Sequence, residues 1–416
     1  MPSCRASEVS LIVRRVTTAI TVTVSLVTAA PVAHGQQSID NALQGAISAY
    51  EAGDVAGAER TLRPLAAGDP EAAAWLGATL LKRGDKAAVT EAIRLLQNAA
   101  GAGNARAKYL LGFQHAIGQG VPSDLTRAAQ LFQEAATAGI GRAAYNLGVL
   151  YAKGRGVAQD PTQALRWYER AAQAGDPYGA YAMARATELS PQATTRAAEM
   201  AQAYRAAAEQ GHLPAAVRYG VLLAEGRGVR KDPAEAERFL RHAAGNGYAE
   251  ADVIMGDLAA STAMGSRGEP ARAAAASAIG WYTSAANKGV ALAQFKLANA
   301  LFAGAGVERD MPKAEQWYER AARQGFDEAQ YVLGVWKSGG VASAKDPVAG
   351  YKWLLLAERQ GNTNAGKVRA RAAEKLSSSE ISQAQADAAA FRAQPERPLG
   401  RPDDEAPPLK PMAPKR

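Results

Sequence analysis

Few residues of this sequence combine a type and a spacing that could carry out chemistry. Beyond residue 35 the histidines are His115, His212 and His242, and they are too far apart for metal-ligand spacing. The one cysteine is Cys4, so the later chain has no thiol for catalysis, disulfides or metal binding. Neither Gly-x-Ser-x-Gly nor Ser-x-x-Lys occurs, which argues against a serine hydrolase or a serine β-lactamase. We therefore predict no catalytic residue, no metal site and no cofactor.

A glycine pair, Gly154 and Gly156, gives the stretch that comes nearest to a phosphate-binding loop. A dinucleotide fingerprint requires a third glycine, but Gln159 occupies that place and no strand pattern precedes the pair. Glycine takes the left-handed backbone angles at which many helices end, so a turn between two helices explains the pair better.

The residues around this turn predict two helices. Apolar residues from about Ala143 to Lys153 recur at three- and four-residue spacings, which gives a first helix with one apolar face. Asp160 is placed to cap a second helix, and Pro161 suits its first position, where no N–H is missed. The positions of this stretch that recur elsewhere in the chain are Gly148, Gly156, Asp160, Trp167, Tyr168, Ala171, Ala172 and Gly175.

This stretch is one copy of a unit that recurs along most of the chain. Three markers keep one register: a small residue in the first helix, paired small residues in the second, and a glycine after them. The first marker recurs at steps of 36 residues, with one step of 35 and one of 42. A fixed period of this length predicts a solenoid with capping units at its ends. The first marker falls at Gly77, Gly112, Gly148, Ala184, Gly220, Gly256, Ala298 and Gly334.

The repeated unit strongly resembles the Sel1-like repeat, a relative of the tetratricopeptide repeat. The resemblance extends from about Ala72 to Gly361, over eight copies, and implies an all-α, right-handed superhelix of paired helices. It also implies an adaptor that holds other proteins together, as in periplasmic regulators and exopolysaccharide-secretion scaffolds. Some secreted members bind or hydrolyse β-lactams, but those proteins are cysteine-rich and this chain is not.

The domain organisation follows from the register. Ser377 and Glu380 are spaced as a capping box before a last helix, and seven of the final 22 residues are proline. The predicted segments are a signal peptide (1–35), an N-terminal capping pair (36–71), the solenoid (72–361), C-terminal capping helices (362–394) and a disordered tail (395–416).

Variable positions of the first helix are the predicted binding residues. In a superhelix of paired helices the first helices would line the concave wall, and residues that differ between copies would face a ligand. Arginine and lysine there would hold a carboxylate or an acidic segment of a protein partner. An ordinary hydrated surface is the alternative. The predicted binding residues are Asn146, Arg185, Arg218, Asp257, Lys296 and Asn299.

Two copies depart from the pattern. One, around residues 180–210, lacks the glycine loop, and another gains six residues through the stretch 264–270. The added length predicts a larger loop between the two helices, since loops lengthen at little cost. A protrusion that docks a partner is the functional alternative.

The first 35 residues predict export. A basic start with Arg14 and Arg15 precedes an apolar run over residues 16–30, and small residues favour cleavage between Gly35 and Gln36. We therefore expect a periplasmic or secreted protein, with an uncleaved inner-membrane anchor as the alternative. The net charge is +8, but basic residues alternate with acidic ones, which argues against nucleic-acid binding.

These observations predict a non-enzymatic, exported scaffold that binds a protein partner on its concave face, in regulation or assembly of the envelope. The alternatives are a scaffold for exopolysaccharide secretion and, less favoured, an enzyme acting on the cell wall or on β-lactams.

Overall fold

The computed structural model describes residues 30–396, and side chains from residue 39 onward. Most of the predicted signal peptide (1–29) and of the predicted tail (397–416) lies outside these residues. Within 30–396 all regular structure is helical, as predicted, and no helix there is long and apolar enough to cross a membrane. The helices are α1 (Ala30–Glu51), α2 (Val55–Leu65), α3 (Pro70–Arg83), α4 (Lys86–Gly101), α5 (Ala105–Ile117), α6 (Leu125–Thr137), α7 (Gly141–Lys153), α8 (Pro161–Gln173), α9 (Pro177–Glu188), α10 (Ala197–Glu209), α11 (Leu213–Glu225), α12 (Pro233–Gly245), α13 (Ala249–Gly265), α14 (Glu269–Asn287), α15 (Ala291–Ala303), α16 (Met311–Arg323), α17 (Asp327–Gly339), α18 (Pro347–Arg359), α19 (Thr363–Ala373) and α20 (Ser378–Ala390).

The α7–α8 pair shows how each copy forms. Gly154 ends α7 in the left-handed conformation, with φ of 63°. Asp160 caps α8 by accepting hydrogen bonds from the N–H groups of Thr162 (2.9 Å) and Gln163 (3.0 Å). The Asp160 N–H also donates to the Tyr151 carbonyl at 3.0 Å, which closes the loop back onto α7. The same closure is made by Asp124, Asp232, Asp310 and Asp346.

The small residue of the first helix lies where the two helices of a copy meet. A Cβ at Gly148 would stand 2.6 Å from Tyr168 Cδ1, so the glycine lets the ring pack close against α7 in this copy. Ala171 is fully buried in the same seam, while Trp167 and Tyr168 are half-buried rather than enclosed. The corresponding pairs are Gly77–Leu96, Gly112–Phe132, Gly220–Leu240, Gly256–Tyr282 and Gly334–Leu354.

The second glycine of the loop connects neighbouring copies. Gly156 has φ of 74°, and a Cβ there would stand 2.4 Å from the carbonyl carbon and oxygen of Leu125, the first residue of α6. Gly228 meets the Ala197 carbonyl and Gly306 meets the Ala275 backbone in the same way. Each such loop therefore closes over the second helix of the preceding copy.

The first helices line the inside of the curve. Neighbouring first helices are in contact with each other: α3 with α5, α7 with α9, and α17 with α19. Among residues 30–396 no two neighbouring second helices approach as closely until α18 meets the capping helix α20. The elements that crowd together lie on the shorter, inner side of a superhelix. The surface formed by the first helices α3 to α17 is called the inner face below.

The six-residue insertion does not form the larger loop that the sequence predicted. The extra residues instead lengthen α13 to 17 residues and α14 to 19, and only 266–268 remain between them. This stretch is rich in alanine, the best helix former, so extending the helices is favoured over lengthening the loop. Met264, at the end of the lengthened pair, is 84% exposed.

The ends of the array are closed by capping helices. The predicted capping box is present, since Ser377 Oγ accepts from the Glu380 N–H while the Glu380 carboxylate accepts from the Ser377 N–H. The tail was predicted to be disordered from residue 395 onward, and this is wrong for Glu396. The chain turns back after α20, and Glu396 contacts α15 and α16.

Candidate functional site

The six predicted binding residues all lie on first helices, but they are not equally accessible. Asn146 is only 9% exposed, and Trp75 and Leu110, which hold the same position in earlier copies, are buried too. The prediction that Asn146 is freely exposed is therefore wrong. The position is buried in these N-terminal copies, whereas Arg218 and Lys296, which hold it in later copies, are half-buried.

Arg185 and Arg218 lie beside one carboxylate, that of Glu188. Arg185 Nη1 is 2.9 Å from Glu188 Oε2, and the Tyr204 hydroxyl donates to the same oxygen at 2.8 Å. Arg227 reaches the other oxygen at 3.3 Å. Arg227 also pairs with Glu225 at 3.5 Å, and the charge of Arg218 acts on Glu188, so three guanidinium groups share two carboxylates and an excess of one positive charge remains. We call Arg185, Glu188, Arg218 and Arg227 the arginine cluster.

The electrostatics of the arginine cluster keep its carboxylate ionised. Burial raises the pKa of Glu188, but hydrogen bonds from Tyr204 and Arg185 and the nearby charge of Arg218 outweigh burial, so the pKa is lowered overall. The Glu188 side chain is 14% exposed, whereas that of Arg227 is 49% exposed. The Arg185 side chain is 29% exposed, so Arg227 is the cation that faces solvent most, and the Glu188 carboxylate lies beneath it.

The three remaining predicted residues lie further along the inner face. Lys296 Nζ pairs with Asp257 Oδ1 at 2.8 Å, and the Tyr282 hydroxyl donates to the same oxygen at 2.7 Å. Burial and then this hydrogen bond raise the pKa of Tyr282. Asn299 accepts a hydrogen bond from the Tyr318 hydroxyl at 2.6 Å. This part of the face is polar but has its charges paired.

The inner face changes character toward the N-terminus. Phe113 and Val149 hold the same repeat position as Arg185, and both are half-buried and apolar. A ligand lying along the face would therefore meet apolar side chains first and the arginine cluster next.

No group of three or more histidine, aspartate or glutamate residues placed to hold a metal ion occurs in the described part of the chain. Sequence reasoning missed Glu188, Arg227 and the tyrosines that support this surface. Glu188 occupies the copy that lacks the glycine loop, which was a detectable signal. The tyrosines belong to the repeating second-helix doublet, and their hydroxyl contacts require knowledge of the fold.

Comparisons with known proteins agree with this architecture. The family model described as Sel1 repeat matches residues 70–104, 105–140, 141–176, 213–248, 258–290, 291–326 and 327–362. Within the array the family model leaves 177–212 and 249–257 unmatched. The longer interval holds α9 and α10, the copy without the glycine loop, so eight helix pairs correspond to seven matched repeats. A search of curated proteins found no match.

Two solved structures are similar over most of the chain. A Sel1 repeat protein from Oxalobacter formigenes is 30% identical, with 75% of this chain and 90% of that chain covered and a TM-score of 0.57. The protein c5321, a protective antigen of uropathogenic Escherichia coli strains that displays an SLR fold, is 25% identical. There the coverage is 86% of this chain and 84% of that chain, with a TM-score of 0.49.

Proposed function

Because the chain belongs to the Sel1 repeat family, whose members generally mediate protein–protein interactions, we propose that it is a non-enzymatic scaffold that binds a protein partner on its inner face. A helical repeat fold of this kind is typically non-catalytic. An extended inner face suits a long, irregular segment of a partner better than a compact ligand.

The observation that carries the proposal is the arginine cluster. Its three guanidinium groups share the carboxylates of Glu188 and Glu225, which leaves one positive charge unneutralised, and guanidinium binds carboxylates through paired, charge-assisted hydrogen bonds. The bound segment is accordingly acidic where it passes Arg218. Apolar side chains of the same segment would lie beside Phe113 and Val149.

The proposed cellular location of the protein rests on its first 35 residues. The basic start and apolar run of the first 35 residues support export, which places the partner in the periplasm or outside the cell. Regulation or assembly of the envelope is the role that fits such a location.

Charge reversal on the inner face tests the proposal. Purified protein with both Arg185→Glu and Arg218→Glu is immobilised beside the wild type, and the proteins captured from an envelope extract are quantified by mass spectrometry. The expected result is a partner that the wild type captures and that the double variant loses by at least tenfold, about 1.4 kcal/mol. Capture by the wild type should also weaken as salt is raised.

The matched control reverses two exposed arginines on second helices, Arg205→Glu and Arg241→Glu. Their side chains are 55% and 57% exposed, and each forms an ion pair with a glutamate one turn away. This control changes net charge by the same amount and should keep the partner. A partner lost equally from both double variants would contradict binding on the inner face.

A further inference from the structure

The segment that follows the last helix lies on the outside of the array. The Phe391 ring packs edge-to-face on Trp353 of α18, with centroids 5.6 Å apart. Ala393 lies beside the turn at Gly325, and the Gln394 N–H donates to the Arg323 carbonyl at 2.8 Å. Residues 391–396 therefore run back, in extended form, over the second helices toward earlier copies.

Glu396 ends this segment in a polar site. Its carboxylate accepts hydrogen bonds from Arg320 Nε and from Gln294 Nε2, both at 2.9 Å. Its N–H donates to Gln324 Oε1 at 3.3 Å. The hydrogen bonds from Arg320 hold the pKa of Glu396 below its ordinary value, against the effect of burial. We call Gln294, Arg320, Gln324 and Trp353 the tail dock.

The tail dock is organised by contacts of its own. Gln294 is fully buried, and its side chain donates to the Ala286 carbonyl at 3.2 Å and accepts from Gln324 Nε2 at 2.8 Å. The next copy has a similar pair, in which Gln360 Nε2 donates to Gln330 Oε1 at 2.8 Å. A buried amide held in this way keeps one N–H directed at the carboxylate.

The sequence of each copy shows that the site is specific to one place in the array. The position of Gln294 is alanine in four copies, lysine in one and aspartate in one, and only Gln330 repeats it. The position of Arg320 in the Gln330 copy is Leu356. An amide and a guanidinium therefore coincide only in the α15–α16 copy, and the tail reaches that copy.

The docked segment is held less firmly than the helix before it. Ala384 and Ala388 of α20 are 0% and 3% exposed, whereas the Arg320 and Glu396 side chains are 40% and 29% exposed. Partly exposed ion pairs contribute little to stability and are screened by salt. The segment can thus leave its site while α20 stays packed on α18.

From these contacts we propose that the tail dock binds an extended segment of a partner protein that carries an aromatic residue and, five residues later, a glutamate. The chain's own Phe391–Glu396 fills the site until such a segment displaces it. A second copy of this chain is a poorer occupant. Phe391 directly follows α20, so exchange between copies would require α20 to leave α18.

Apart from the fully buried Gln294 at the start of α15, the tail dock lies on second helices and their turns, and it shares no residue with the arginine cluster, so its test is independent of the one above. The probe is a fluorescein-labelled peptide of residues 389–396 with an amidated C-terminus, and its binding to full-length protein is measured by fluorescence anisotropy. The receptor carries Phe391→Ala and Glu396→Gln, which weaken the internal competitor. We expect this receptor to bind the peptide at least tenfold more tightly than the wild type, because a tethered segment competes at a high effective concentration.

Matched variants of the receptor identify the site. Adding Arg320→Gln should weaken peptide binding about tenfold, and a peptide with Glu396→Gln should lose a similar factor. Adding Arg241→Gln is the control. Arg241 lies on the second helix α12 with its guanidinium over Trp281, as Arg320 lies over Trp317, and its replacement should leave peptide binding unchanged. Equal loss with both arginine variants would overturn the proposal.

Hydrogen exchange of the unmodified protein gives a second readout. The amides of Gln394 and Glu396 donate hydrogen bonds in the docked state, so saturating peptide should speed their exchange while α20 keeps its protection. Unchanged exchange, or equal peptide affinity for the wild type and the receptor variant, would show that residues 391–396 are not displaced from the tail dock and would contradict the proposal. A dimer that depends on Phe391 and Glu396 would assign the site to a second copy and overturn the partner assignment.

Discussion

Replacing Gly156 with alanine is expected to destabilise the protein by about 2–5 kcal/mol. Gly156 has φ of 74°, and a side chain in the left-handed region costs roughly 1–2 kcal/mol. The new Cβ would also stand 2.4 Å from the Leu125 carbonyl carbon and oxygen. These are backbone atoms that cannot rotate away, so the loop must shift, and overpacking of this kind costs about 1–3 kcal/mol.

Gly175→Ala is the matched control for this experiment. Gly175 has φ of 79°, but a Cβ there would meet no atom within 4 Å. The control therefore carries the backbone strain without the collision, and both variants change the unfolded chain alike. The difference between them, about 1–3 kcal/mol, measures the contact between the 154–160 loop and α6.

Urea unfolding followed by circular dichroism at 222 nm gives both values. Because the Gly156 contact joins neighbouring copies, its loss should also broaden the transition or split it, as expected when coupling between repeats weakens. Equal midpoints and equal slopes for the two variants would refute the claim that this glycine couples the copies.

Three further predictions concern the same array. Gly148→Val should cost about 3 kcal/mol in urea unfolding because of the collision with Tyr168, whereas Gly148→Ala should cost under about 1 kcal/mol, since alanine's helix propensity offsets part of the strain. Asp176→Ala should cost about 3–5 kcal/mol, because it removes the 2.7 Å ion pair to Arg142, whose side chain is only 11% exposed, and the cap of α9. Asp176→Asn keeps the cap and should cost less, and thermal melts would rank the two variants. Burial, with the charge of Arg142, lowers the pKa of His212 to about 4 in the folded protein. As the pH falls, His212 is therefore protonated in the unfolded chain before it is protonated in the folded one. Stability should therefore be complete above about pH 6.5 and fall by at most about 3 kcal/mol as the pH drops toward 4. His212→Asn should lack this decline in urea melts taken at several pH values.

The local features of the array were predictable from the sequence because they depend on neighbouring residues. Asp160 and Pro161 mark the start of α8, and Gly154 ends α7 with the left-handed conformation expected of a glycine at a helix C-terminus. The register also placed Gly148 in the seam, since a residue that stays small in every copy must lie where two helices approach closely.

The features that were missed depend on distant parts of the chain or on a balance between local choices. Asn146 varies between copies like a surface residue, but it is buried in the folded array. The contact between Gln294 and Glu396 joins residues 102 positions apart, which no periodicity reveals. The insertion could lengthen either a loop or two helices. Because the inserted stretch is rich in alanine, which favours helix, it lengthens α13 and α14.

The second-helix tyrosines connect the repeated scaffold to the residues that vary. The Tyr282 ring packs against Gly256 in the seam, while its hydroxyl reaches Asp257 on the inner face. Tyr318 makes the corresponding contact with Asn299, and the Tyr204 hydroxyl reaches Glu188, three residues beyond the corresponding position. In the copies that have a tyrosine at this position, a variable polar side chain is thus held from beneath by a residue of the scaffold, which limits its rotamers before any ligand arrives. Pre-organisation of this kind lowers the entropy lost on binding, so these tyrosines would support recognition although they belong to the packing pattern.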